Sequence, residues 1–555
     1  MQLRNVVFPQ PDGAATLRRP KVWDVELVGG VITSIKAAGK HGDADGSDTA
    51  SVLLVPPLCH PHLHLDKAYL LTSSGGGAGD GRDDDPDYSD LLPQTGTFEE
   101  ALHTTAVAKS RFTAADLRRR GLQLLATSCA QGVTSARVFV EVDAAAAGQG
   151  TVAVAVAREL QTLFGSCGRL ALQVCAFAQE ALFTGAAGAA NRAAMEAVLA
   201  ANRSEAGGPG GHATISVLGV TPYVEESRQK SLQNIDWAVA TALEYDLHLD
   251  LHLDYNLKDC CGSSSSSGGG GCTENEPLVF ALVDALVRHN WTRQSVNNGA
   301  AHKQPTRPKT VVVGHATQLT RLPQSEMARL AAMIRKHRLP LSFVGLPTSD
   351  LYMMGRRPAG KGSLGEPYLS CARGTLPVPA LIREFGLAAC LGVNNVGNAF
   401  TPYGTGDPLQ LACWGVGLYH AGTGQDAHLL YGSVSWRARA AIGIDDGDYG
   451  DESSDDGDAV DWEKPLDCPQ EQLLGKRMGS LLAIVNKRFI ELPPTSLPEI
   501  SSGSGEKIET TLSRIPARPR LGFRDIVWDP PDTSLRKVVY DLDRGNGTES
   551  EARSS

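Results

Sequence analysis

Short apolar runs recur along this chain and alternate with stretches of helical period. Runs with strand character lie at 133–143, 170–179, 213–222, 246–254, 310–317, 341–348 and 389–395, and a further apolar strand, VLLVPP, runs into His60. Between several of them the spacing turns helical, as in FTAADLRRRGLQLLATSCAQG and LPQSEMARLAAMIRKHR. Eight repeated strand–helix units predict a closed α/β fold, a (β/α)8 TIM barrel. A doubly wound sheet is the competing arrangement, but it would leave the histidines described below on no common rim.

Both chain ends carry a different pattern. LRNVVF and VWDVELVGGVITSIKA read as short strands, with Gly29-Gly30 as a hairpin turn. GSLLAIVNKRFIEL and SLRKVVYDLD near the other end are apolar runs bounded by polar or Pro-rich segments. The two ends together predict one small β-sandwich-like domain, from 1–55 and 466–545, around a barrel at 56–440. Low-complexity stretches interrupt this plan: Ser73 to Asp90, the Ser/Gly run within 260–272, and an acidic insertion in 441–465. Their composition buries too little apolar surface to order them, so they are expected to be surface insertions. Cys260, Cys261 and Cys272 flank the Ser/Gly run and are read with it rather than as a zinc cluster.

Composition narrows the class. The net charge of −10, from 62 acidic and 52 basic side chains, disfavours a nucleic-acid surface. No long uninterrupted apolar stretch predicts a membrane span, and the opening MQLRNVVFPQPDG lacks the apolar core of an export signal. The 11 scattered cysteines are an odd number and suit reduced thiols in the cytoplasm. Homo-oligomerisation is left open.

The densest chemistry sits in His62-Leu63-His64-Leu65-Asp66, at the end of an apolar strand. A period of two puts His62 and His64 on one face, where two neutral imidazoles suit a divalent metal such as zinc or iron. A polar strand end with incidental histidines is the alternative. In 246–254 every odd position from 247 to 253 is leucine and every even one is aspartate or histidine. In a barrel the leucines meet the helices while Asp246, His248, Asp250, His252 and Asp254 line the interior; an exposed edge strand of alternating polarity is the alternative. Such charges need a metal, water or mutual pairing to be tolerated there. His315, after TVVVG, ends another strand, where this fold gathers catalytic groups.

PPLCHPHLHLDK, FAQEALF, LHLDYN, VVVGHATQL and LGVNNVGNAFTPYGTGDPLQL together resemble, in order and spacing, the cytosine deaminase-like branch of the metal-dependent amidohydrolase superfamily. The resemblance spans nearly the whole chain apart from the inserts. It implies one divalent metal ion, zinc or iron, held by His62, His64 and His252. It implies that His315 orients the attacking water and polarises the substrate, and that Gln179 hydrogen-bonds a pyrimidine-like ring. Asn395 is a further candidate for substrate contact. Two positions depart from the family pattern. Tyr255 stands where the family has a proton-shuttling glutamate, and Asn394 where it has a metal-binding aspartate. An amide oxygen can still face a metal, but neither side chain is a good proton acceptor at neutral pH. Asp254 and Asp66, each two residues past a histidine, are candidate replacements, with Glu141 and Glu180 behind them. The expected function is a metal-dependent amidohydrolase cleaving a non-peptide C–N bond of a small heterocyclic amine or cyclic amide. The alternative is a catalytically degenerate barrel that binds a metabolite or a protein.

Overall fold

The computed structural model describes residues 1–9, 21–38, 49–72, 86–144, 149–206, 213–255, 257, 276–293, 309–355, 372–444, 460–464, 466, 468–491 and 514–540. The chain divides into two compact units. One comprises Met1–Pro57, Gly422–His428 and Asp446–Ser555, and the other Leu58–Ala421 and Leu429–Asp445.

The first unit begins with strands β1 (Gln2–Val7), β2 (Trp23–Val28), β3 (Val31–Ala37) and β4 (Thr49–Val55). The second contributes β5 (Leu58–His64), β6 (Val133–Glu141), β7 (Ala171–Ala178), β8 (Ile215–Val220), β9 (His248–Leu253), β10 (Val311–His315), β11 (Leu341–Gly345) and β12 (Ala388–Leu391). The chain then returns to the first unit with β13 (Leu481–Lys487), β14 (Phe489–Glu491), β15 (Arg514–Pro516) and β16 (Arg536–Val539).

In the first unit, six strands form a mixed sheet in the order β16-β13-β4-β1-β2-β3, and β14 pairs separately with β15. The hairpin β2–β3 turns at Gly29 and Gly30, whose φ values of 57° and 73° meet the two positive angles of a type I′ turn. The C-terminal run expected to complete this domain does so: β13 lies antiparallel to β4, with Leu482 opposite Val55.

The second unit is an eight-stranded sheet, parallel between all consecutive strands from β5 to β12. Beyond β12, Asn394 donates its N–H to the His62 carbonyl (3.1 Å), and its own carbonyl accepts from His64 N–H (2.8 Å). The bridge between Leu63 and Asn394 brings the last strand's continuation beside the first, which excludes an open doubly wound sheet. Every residue of β5, β6, β10 and β11 is buried, as strands covered on both faces must be.

Helices follow the strands. Ala114–Gln131 starts with Thr113 accepting from Asp116 N–H and stops at Gly132 with φ 102°. A further helix, Trp436–Ile442, packs Ala438, Ala441 and Ile442 against Cys59, Val312, Val344 and Cys390. Among the described residues no helix is long and apolar enough to cross a membrane.

Two expectations need correction. The tail of the segment read as insertion at 73–90 is packed. Tyr88 is fully buried and donates to Asp116 Oδ2 (2.8 Å), while Arg111 grips Asp90 (2.6 Å). The rest of that segment, all of 260–272 and the acidic stretch 445–459 lie outside the described residues. Within 246–254 the alternation holds for the strand alone. Asp246 precedes it with φ 54° and pairs with Lys309 (3.4 Å), and Asp254 follows it with φ 51°.

Candidate metal centre and active site

The interior of the barrel is polar because β9 puts a carboxylate and an imidazole on the face opposite its leucines. Asp250 meets Arg137 of β6 at 2.8 Å, and both are fully buried. Arg137 also donates to Gln173 of β7 (3.1 Å), so the cation has partners from two other strands of the barrel. Asp250 Oδ1 lies 3.8 Å from His62 Nδ1.

Above this pair the histidines converge. His62, His64 and His252 offer nitrogens that all lie within 4.8 Å of one another. The Nε2 atoms of His62 and His252 are 2.8 Å apart. Phe139 of β6 packs on His62 with ring centroids 4.1 Å apart, and Phe177 of β7 on His252 at 4.6 Å. Gly314 lets β10 come close: a Cβ there would stand 3.2 Å from His62 Cε1. Burial, reinforced by neighbouring cationic groups, holds all three imidazoles well below their usual pKa. Neutral imidazole is the ligating form. Three neutral, buried nitrogen donors within 4.8 Å of one another fit a borderline-soft divalent ion. Asn394 lines the same cavity beside His64. Its buried Oδ1 makes no hydrogen bond of good geometry, which leaves an amide oxygen available next to the histidines.

His315 ends β10 with φ 66° and lies 5.2 Å, ring to ring, from His252. Its Nδ1 is 2.7 Å from Asp350 Oδ1, and Asp350 Oδ2 accepts from the Thr375 hydroxyl (2.7 Å). Sequence reasoning missed Asp350 and Thr375. Asp350 sits in the first turn of Pro347–Met353, just after β11, and a lone acid at a barrel strand's end was the available signal.

A pocket opens over these groups. The structure brings His64, His252, His315, Gln179, Tyr255, Asn394 and Asn395 of the expected set to its wall, together with Lys67, Phe98, Tyr223 and Phe400, which were not foreseen. Asn395 is steered by Asn398, whose Nδ2 donates to its Oδ1 (2.8 Å).

Asp254 is not part of this wall, and its expected role as a proton acceptor is corrected. Its carboxylate accepts from Leu278 N–H (2.8 Å) and Val279 N–H (3.0 Å), the free amides at the start of helix Leu278–Arg288. Pro277, at that helix's N-cap, has no side-chain oxygen to do so. Asp66 also turns aside, accepting from Glu141 N–H (2.8 Å), and Glu141 is occupied by Lys67 (2.6 Å) and Lys109 (2.8 Å). Glu180 stands outside the lining. Tyr255 packs edge-on against His315 (4.6 Å) and beside Phe98 and Tyr223 (both 5.7 Å). Burial pushes its hydroxyl well above the usual pKa, so it forms an aromatic wall rather than a titrating group.

No family model and no curated protein matches this sequence. Among solved structures, the chain is similar to 5-methylcytosine deaminase from Klebsiella pneumoniae liganded with phosphonocytosine. The TM-score is 0.57 at 19% identity, over 80% of this chain and 88% of that one. It is also similar to N-isopropylammelide isopropylaminohydrolase from Burkholderia multivorans, with a TM-score of 0.52 at 18% identity, over 88% of this chain and 95% of that one. These likenesses establish a shared fold.

Proposed function

We propose that this chain is a metal-dependent amidohydrolase, similar to the cytosine deaminase-like branch of that superfamily, which hydrolyses a non-peptide C–N bond of a small heterocyclic amine or cyclic amide. The observation that carries this reading is the meeting of His62, His64 and His252, two of which line a pocket walled by His315, Gln179 and Asn395. A divalent ion, zinc or iron, held by these residues would supply Lewis acidity toward water and substrate. His315, with Nδ1 committed to Asp350, keeps Nε2 for the proton that attack on the ring must move. Gln179 and Asn395 supply amide hydrogen-bonding groups for the ring edge, and Tyr255 supplies a flat face. The two solved relatives named above are by description enzymes of ring amines, which supports the substrate class. Described cysteines such as Cys59, Cys175 and Cys390 are free thiols, consistent with a cytoplasmic setting.

A second reading has its own observation. Tyr255 and Asn394 leave the cavity wall without a carboxylate among the described residues, as a degenerate binding barrel would have it. Ammonia or amine release from a panel of heterocyclic amines separates the two. Metal-stripped protein should be silent, zinc- or iron-reconstituted protein should turn over at least one ring, and His315→Asn should abolish that turnover. A fully metallated chain that releases nothing from the whole panel favours the binding barrel.

A further inference from the structure

The charge of the substrate follows from what the cavity wall contains. Among the described lining residues the single formally charged side chain is an ammonium, that of Lys67, and there is no carboxylate. The nearby acids are all turned elsewhere. Asp254 serves two helix amides, Asp350 serves His315 and Thr375, and Asp66 serves Glu141 N–H.

Lys67 is held in place. Its side chain is 2% exposed, and its Nζ donates to Glu141 Oε1 (2.6 Å). Glu141 Oε2 is taken by Lys109 (2.8 Å), which in turn binds Asp143 (2.7 Å). This relay of alternating charges anchors Lys67 from outside the cavity wall, since neither Glu141 nor Asp143 lines it. On the cavity side the ammonium lies 4.8 Å from the centre of the Phe400 ring. Among the described residues Glu141 is its one hydrogen-bonding side-chain partner, and an ammonium has three N–H donors. The remaining donors are available to a ligand oxygen. Phe98, Tyr223, Tyr255 and Phe400 line the same cavity with aromatic surface suited to a planar ring.

Resting on the hydrolase reading above, we infer that the substrate is an anionic planar heterocycle whose negatively charged oxygen is received by Lys67. A ring oxyanion and a ring carboxylate share that chemistry. A cation at the three histidines adds charge of the same sign and favours such a ring over a neutral aminopyrimidine.

Uracil, barbiturate and orotate test this, since the latter two are the uracil ring with an added oxyanion or carboxylate. Their binding to the zinc-reconstituted full chain is measured by calorimetry, with metal content checked in every sample. Barbiturate or orotate should bind at least about tenfold more tightly than uracil, an advantage that weakens with added salt. Lys67→Met should bring that preference to within about threefold, and Lys67→Arg should retain most of it. Should Lys67→Met not fold, the wild-type ranking and Lys67→Arg carry the test. Uracil binding as tightly as both anions overturns the inference, as does an anion preference that persists in Lys67→Met. If uracil binds and ring amines are turned over without any charge preference, this inference alone fails. If no ring binds the fully metallated chain, the hydrolase reading fails with it.

Discussion

His315 can serve a proton because Asp350 settles its orientation. A carboxylate at 2.7 Å from Nδ1 favours the tautomer protonated at Nδ1, which leaves the Nε2 lone pair free on a ring that lines the cavity. Asp350→Asn should therefore leave metal content unchanged and lower kcat by at least about tenfold, because a neutral partner holds that tautomer less firmly. Equal kcat in the variant would mean that His315 takes no part in proton movement. Asp254 is the opposite case, an acid whose duty is structural. Asp254→Ala should cost about 1–2 kcal/mol in urea unfolding through loss of the helix cap, without change in metal affinity. Asn394 holds a buried, uncommitted amide oxygen beside the histidines. Asn394→Asp replaces that neutral oxygen with a charged one and should tighten metal binding, measured by competition with a chelator. An unchanged affinity would remove it from the metal's surroundings. The histidines were legible because period-two spacing survives intact inside a strand. Asp254 was not, because β9 ends at Leu253 and the positive φ of Asp254 turns its side chain out of register. Asp350 escaped because its partner is remote in sequence, and its place just after β11 does not by itself point to His315.

At the scale of elements, the segment after β5 is gripped by the helix Ala114–Gln131. Arg120 is fully buried in that helix, and its Nη1 donates to the carbonyls of Asp66 (2.7 Å) and Ala68 (2.8 Å). Its Nη2 meets Asp116 (2.7 Å), which also accepts from Tyr88. One guanidinium thus secures the backbone on either side of Lys67. Arg120→Met should destabilise the fold by about 3–5 kcal/mol, since Asp116 and two carbonyls lose a charged partner in a buried place. Chemical denaturation checks it, and a loss below about 1 kcal/mol would show these groups re-paired with water. The helix itself was readable from its apolar period, its Thr113 start and its Gly132 stop. The packing of Tyr88 was not, because a composition-based reading of 73–90 averages over a single buried aromatic anchor.

Over the whole molecule, the count of eight apolar strands and the separate sheet from both chain ends were legible, since each depends on patterns that tertiary contacts do not disturb. What the pattern could not supply was the closure. The Leu63–Asn394 bridge joins residues remote in sequence, and it sets Asn394 beside the histidines of β5. Nor could it show that the polar face of β9 is balanced by Arg137, a cation inside a fully buried strand. Strands β5 and β9 together should hold one divalent ion through His62, His64 and His252. Elemental mass spectrometry of zinc-loaded, desalted protein measures this. About one ion per chain is expected in the wild type, falling by about tenfold or more in His62→Ala, His64→Ala and His252→Ala variants that keep the wild-type circular dichroism. Stoichiometric zinc retained in all three folded variants would contradict it.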